Sequence, residues 1–84
     1  MKFKKGDMVT VRGWDEMKKE FGVEGGNIKC SGTFTNHMKV LCGKAAIVEE
    51  CIVDENMKHY RLRPMAVEDL ELDWGWTFTD DMLE

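Results

Sequence analysis

A mainly-β α+β domain is what this sequence predicts, built as a small, partly open barrel with one or two short helices in its long first connection. Three observations point there. Apolar and polar residues alternate with a two-residue rhythm near both ends of the chain. A long apolar run lies in the middle. Glycine- and asparagine-marked turns separate the segments.

The chain has 84 residues, enough for one domain spanning 1–84. A domain of this size buries roughly 60% of its unfolded surface, so its core is a single modest cluster. With 43% hydrophobic and 33% charged residues the composition is that of a folded protein. No tract of repeated or low-complexity sequence stands out.

The first element is Asp7–Arg12, introduced by the turn pair Gly6-Asp7. Phe3, Val9 and Val11 fall on one side of it, Thr10 and Arg12 on the other, as in a half-buried strand. In the following segment Trp14, Met17 and Phe21 are spaced i, i+3, i+7, which predicts a helix over 14–21. Acids lead and lysines follow, in accord with the helix dipole, and Gly22 supplies a stop. Gly25-Gly26-Asn27 marks a turn, and 28–33 reads as a short irregular strand. Thr35 is placed to cap a helical turn over Asn36–Leu41, with Phe34, Met38 and Leu41 pointing inward and Gly43 after it.

Lys44–Val53 is the longest strand candidate. Ala45, Ile47, Cys51 and Val53 share one parity, Ala46, Val48 and Ile52 the other, so both faces are apolar. That predicts a strand buried on both sides or bent between two sheets. After a turn at Asp54-Glu55-Asn56, His59–Arg63 forms a strand with Tyr60 and Leu62 inward, Arg61 and Arg63 outward. Finally Leu70, Leu72, Trp74, Trp76 and Phe78 alternate with polar residues, which predicts a strand at the end of this segment. Thr79 then caps a turn bearing Met82 and Leu83.

The series Gly6-Asp7-x-Val9-x-Val11, Gly43-Lys44-x-Ala46-Ile47 and Tyr60-x-Leu62 resembles that of small SH3-like barrels. In those folds a Gly-Asp turn opens the first strand and a Gly-Lys turn the second, with a long excursion between them; residues 13–43 occupy that place here. The resemblance implies the barrel. It does not imply proline-rich ligands, because the aromatic set of peptide-binding SH3 domains is missing. The runs Val11–Met17 and Leu41–Lys44, with Trp76-x-Phe78-x-x-x-Met82-Leu83, also resemble short bacterial proteins of phage and prophage gene sets, a group that implies no particular activity.

Composition narrows function by exclusion. No apolar run nears the ~18 residues of a membrane span, and no apolar stretch follows the basic Met1–Lys5, so a cytoplasmic chain without a membrane partner is expected. Cys30, Cys42 and Cys51 are odd in number and fit no disulfide framework. Together with His37 and His59 they form no C-x2-4-C or H-x3-5-H pair, so no metal and no cofactor is expected. Cys42 with His37 inside one short turn makes an awkward nucleophile–base pair, and no oxyanion-hole loop accompanies it. Gly22, Gly25 and Gly26 lack the context of a phosphate loop. No catalytic residue is assigned.

The net charge of −4 is polarised along the chain. Residues 1–44 hold nine Lys/Arg and five Asp/Glu, a formal +4, while 45–84 hold three and eleven, a formal −8. Acidity overall makes nucleic acid a poor partner; as the alternative function, single strands would use Lys4, Lys5, Arg12, Lys18 and Lys19. The leading expectation is a non-catalytic module that binds a protein, or itself, through an aromatic surface. Trp14, Tyr60, Trp74 and Trp76 are the candidate binding residues.

Overall fold

In the computed structural model, which describes residues 1–84, two antiparallel three-stranded sheets close around one cluster of 14 apolar side chains. The first sheet has the order β1-β5-β6, from strands Met8–Thr10, Ala45–Val53 and Lys58–Pro64. The second is a short meander, β2 Val23–Glu24, β3 Asn27–Lys29 and β4 Thr33–Phe34. Helix α1 spans Trp14–Phe21. Three short 3-10 helices cover Asn36–Leu41, Val67–Glu71 and Asp80–Met82. The class is therefore α+β, mainly β. No helix is long and apolar enough to cross a membrane.

Alternation decides what the first sheet buries. Val9, Ala46, Val48, Tyr60 and Leu62 point into the core, and Arg61 and Arg63 point out. Helix α1 buries Met17 fully and Trp14 and Phe21 partly, as the spacing requires. It ends at Gly22, whose φ of +80° would strain a side-chain-bearing residue. The β2–β3 hairpin turns through Gly25 and Gly26, both at positive φ as a type I′ turn needs. Only Asn27–Lys29 and Thr33–Phe34 of the 28–33 region pair as strands.

Three expectations are corrected. Strand β5 is buried on one face only, because a bulge between Val48 and Glu50 leaves Glu49 without a partner and reverses parity. Cys51 thereby sits opposite Tyr60 on the inner side and Ile52 opposite His59 on the outer side. Second, residues 70–78 form no strand. Val67–Glu71 is a 3-10 helix, and the extended stretch after it pairs only through the single bridge Tyr60–Phe78. Its alternation is a true burial pattern without a ladder: Leu72, Trp74 and Trp76 are half-buried and Phe78 fully buried. Third, the chain does hold a short repeat. Thr33-Phe34-Thr35-x-x-Met38 recurs as Thr77-Phe78-Thr79-x-x-Met82.

Both copies fold alike. The Phe is buried, the Thr precedes a 3-10 turn, and the Thr N–H points to the Met sulfur at 3.4 and 3.5 Å. A thioether is a weak acceptor, so these bonds orient the turn more than they strengthen it.

The end of the chain closes the first sheet. Thr10 exchanges two hydrogen bonds with Glu84, N–H to O at 2.8 Å and O from N–H at 2.9 Å, and Val11 bridges Leu83. Arg12 locks the corner. Its guanidinium donates to Glu16 at 2.6 Å, to Glu20 at 2.7 Å and to the Asp81 carbonyl at 2.8 Å.

Since Phe78 lies wholly in the core, Phe78→Ala is expected to destabilise the protein by about 3–5 kcal/mol in urea unfolding. A loss under about 1 kcal/mol would mean the ring is not a core element.

Candidate functional site

A cleft of about 400 Å³ opens where the segment Trp74–Thr77 runs beside the β5–β6 hairpin. Alternation along β6 determines what the cleft sees. Met65 N–H reaches Ala45 O at 3.1 Å on one side of the strand, and Tyr60 N–H reaches Phe78 O at 2.7 Å on the other. Leu62 shares the parity of Tyr60, so its main-chain N–H and C=O face the edge away from β5, where no strand pairs. Pro64 follows with the same parity, a position where a missing N–H costs no ladder bond.

The opposite wall is held by short-range polar contacts. The Val67–Glu71 turn buries Asp69, whose carboxylate meets Lys44 Nζ at 3.2 Å. The Asp69 carbonyl accepts the Trp74 indole N–H at 2.8 Å, fixing that ring, which leans on Phe78 at a centroid distance of 6.3 Å. Asp73 Oδ1 accepts the Gly75 N–H at 2.8 Å. A Cβ at residue 75 would come within 3.1 Å of that same oxygen, so glycine is the residue that fits the turn. Trp76 is half-buried, and its indole N–H has no partner within the chain.

The structure thus gathers Tyr60, Trp74 and Trp76 around one cleft and leaves Trp14 out of it. Tyr60 forms its floor and is 1% exposed. Its hydroxyl accepts the Phe3 N–H at 3.0 Å and donates to Asp80 Oδ1. Trp14 packs on Phe34 at 6.2 Å, with Lys39 Nζ lying 4.3 Å above its ring.

Seven lining residues were not candidates from the sequence: Glu49, Ile52, His59, Arg61 and Leu62 from the β5–β6 hairpin, and Gly75 and Thr77 from the facing segment. Outward parity marks Arg61 in the sequence, but the face of Ile52 depends on the bulge. His59 Nδ1 is buried without a hydrogen-bond partner. Arg61 makes no ion pair within the chain; its cross-strand neighbour is Glu50.

The basic residues do not form one free surface. Arg12 is committed to its three acceptors, its side chain only 13% exposed. Lys18 and Lys19 are exposed on α1 beside Asp15, Glu16 and Glu20. Lys4 and Lys5 are exposed in the turn before β1, where the Lys4 N–H donates to Asp7 Oδ2 at 3.0 Å. Cys30, Cys42 and Cys51 are free thiols, all half-buried. Burial pushes the Cys30 and Cys42 thiols up from their ordinary range.

Comparison with protein families, with curated proteins and with solved structures finds no match to this chain.

Burial, reinforced by the bond to Asp80, pushes the Tyr60 hydroxyl up to about 12. An acid whose folded pKa exceeds its unfolded value near 10 contributes stability that is fully present below about pH 10. That contribution fades as pH rises through about 12. Tyr60 is the one tyrosine in the chain, so an ultraviolet titration reads it alone. Native protein is expected to ionise near 12, and urea-unfolded protein near 10; coincident curves would refute the buried Tyr60–Asp80 bond.

Proposed function

We propose that this chain is a non-catalytic interaction module that holds an extended segment of a partner protein in the cleft between β6 and Trp74–Thr77. One observation carries the reading. An unpaired stretch of sheet edge at Leu62 opens into a cleft whose walls include two half-buried tryptophans. An extended peptide can bond to such an edge through its main chain, with alternate side chains entering flanking pockets. Here Trp74, Trp76 and Ile52 suit an apolar anchor, and the unpaired Arg61 suits an acidic neighbour beside it.

The architecture we propose for this module is a partly open SH3-like barrel. The sequence of neighbours across the first sheet supports it: residues 83–84, β1, β5, β6, then Phe78, with a 3-10 turn at Asp80–Met82 between the last two segments of the chain. In this reading the last two barrel strands are reduced to single bridges. The three unpaired thiols suit a cytoplasmic setting. Raised pKa values at Cys30 and Cys42 accord with thiols that serve packing rather than chemistry.

Selection of a random peptide library on the folded protein tests the function. Enriched peptides are expected to lose about 2 kcal/mol, roughly thirtyfold in affinity, against Trp76→Ala. They should also shift the Leu62 amide resonance. Failure to enrich any peptide, or peptides that bind Trp76→Ala undiminished, would sink the assignment. In a low-salt gel shift, single-stranded DNA and RNA are expected to give no complex at micromolar protein; a salt-sensitive complex would favour nucleic acid instead.

A further inference from the structure

We infer that the outer face of the β1-β5-β6 sheet is a self-pairing surface, on which a second copy of this chain docks about a twofold axis. The inference is independent of the cleft, because its residues lie in a separate groove of about 350 Å³ lined by Ile47, Arg63, Met65, Val67 and Leu70. Four of the eight large apolar side chains left exposed gather here. Met65 is 50% exposed, Leu70 60%, Met8 65% and Val67 78%. Met8 belongs to the patch because it sits directly across β1–β5 from Ile47. An apolar patch of this kind, rimmed by charge, marks an interaction surface.

Charge on the rim identifies the occupant. Arg63, exposed and without an ion pair, stands on the β6 side of the groove. Glu68 and Glu71, likewise exposed and unpaired, directly follow the groove residues Val67 and Leu70 on the 3-10 helix; the remaining acid of that helix, Asp69, is already held by Lys44. The patch therefore carries its own complement. A twofold axis brings the arginine of each copy against the acidic turn of the other and buries the two apolar strips together. An isologous interface has this reciprocity, in which residue i meets j and j meets i. A partner of uniform charge would satisfy one rim and oppose the other.

Sedimentation equilibrium of the whole chain across micromolar to high-micromolar concentrations tests this, with circular dichroism confirming that each variant is folded. Wild-type protein is expected to dimerise reversibly. Leu70→Asp should abolish the dimer, while Arg63→Glu alone and the Glu68→Lys/Glu71→Lys pair alone should each weaken it roughly tenfold by setting like charges together. Mixing those two variants should restore a dimer containing one of each, because both junctions then join opposite charges. A wild-type chain that stays monomeric at the highest concentration overturns the inference. So does a dimer indifferent to Leu70→Asp, or a mixture that fails to pair. Trp76→Ala is expected to dimerise as wild type, so failure of this interface is distinguishable from failure of the cleft.

Discussion

Tyr60 is hydrogen-bonded at both its backbone and the tip of its side chain, and the remainder of the molecule is arranged around that fact. Its N–H donates to Phe78 O and so ties the trailing segment to β6. Its ring fills the core, in edge-on contact with Phe3 at 5.9 Å. Its hydroxyl then joins the Phe3 main chain on one side and Asp80 on the other. A buried hydroxyl left unpaired would cost on the order of 1–3 kcal/mol, so the site demands both neighbours. Through this one residue the start of the chain, the sheet and the closing turn are held in register. The cleft is the space left where Trp74–Thr77 must span from the Asp69 turn to the Phe78 anchor.

Elements set by local periodicity were legible in the sequence. Trp14, Met17 and Phe21 define α1 with its observed bounds, and Tyr60 and Leu62 face inward as their alternation requires. Turns do begin after Thr35 and Thr79 as expected, but neither hydroxyl caps its turn: Thr35 Oγ1 is buried without a hydrogen-bond partner, and Thr79 Oγ1 donates to Asp81 Oδ1 at 2.5 Å. What was hidden depended on one inserted residue or on distant neighbours. The bulge at Glu49 sends Ile52 to the opposite face from the one its parity suggests for the rest of β5, and no alternation rule registers it. Leu70–Phe78 reads as a strand because apolar and polar residues alternate along it, and from Leu72 onward they alternate in burial, yet main-chain pairing depends on a neighbour, and only Tyr60 supplies one. Three of the four aromatic candidates were therefore brought to one cleft, while the polar residues that share it could not be named.

Outward-facing residues of the first sheet border two open features of the molecule, the cleft at the β6 edge near His59 and Arg61 and the groove near Ile47 and Arg63. A domain of this size has too little chain to cover a sheet on both sides. The second sheet and α1 are spent on the inner face, where Ile28, Phe34 and Met17 join Val9, Val48 and Leu62. The central strand β5 nonetheless keeps apolar residues on its uncovered side.

Thr10 and Glu84 are hydrogen-bonded neighbours although 73 residues separate them, and the other edge of β1 waits for Ala45–Ile47. A growing chain would therefore carry β1 with no strand to pair with until residues 45–47 had been made. Helix α1 would be exposed too, since a helix this short is marginal without its docking surface. Closure of the first sheet therefore waits on contacts between the most distant parts of this domain, a topology that favours slow, late assembly over local condensation.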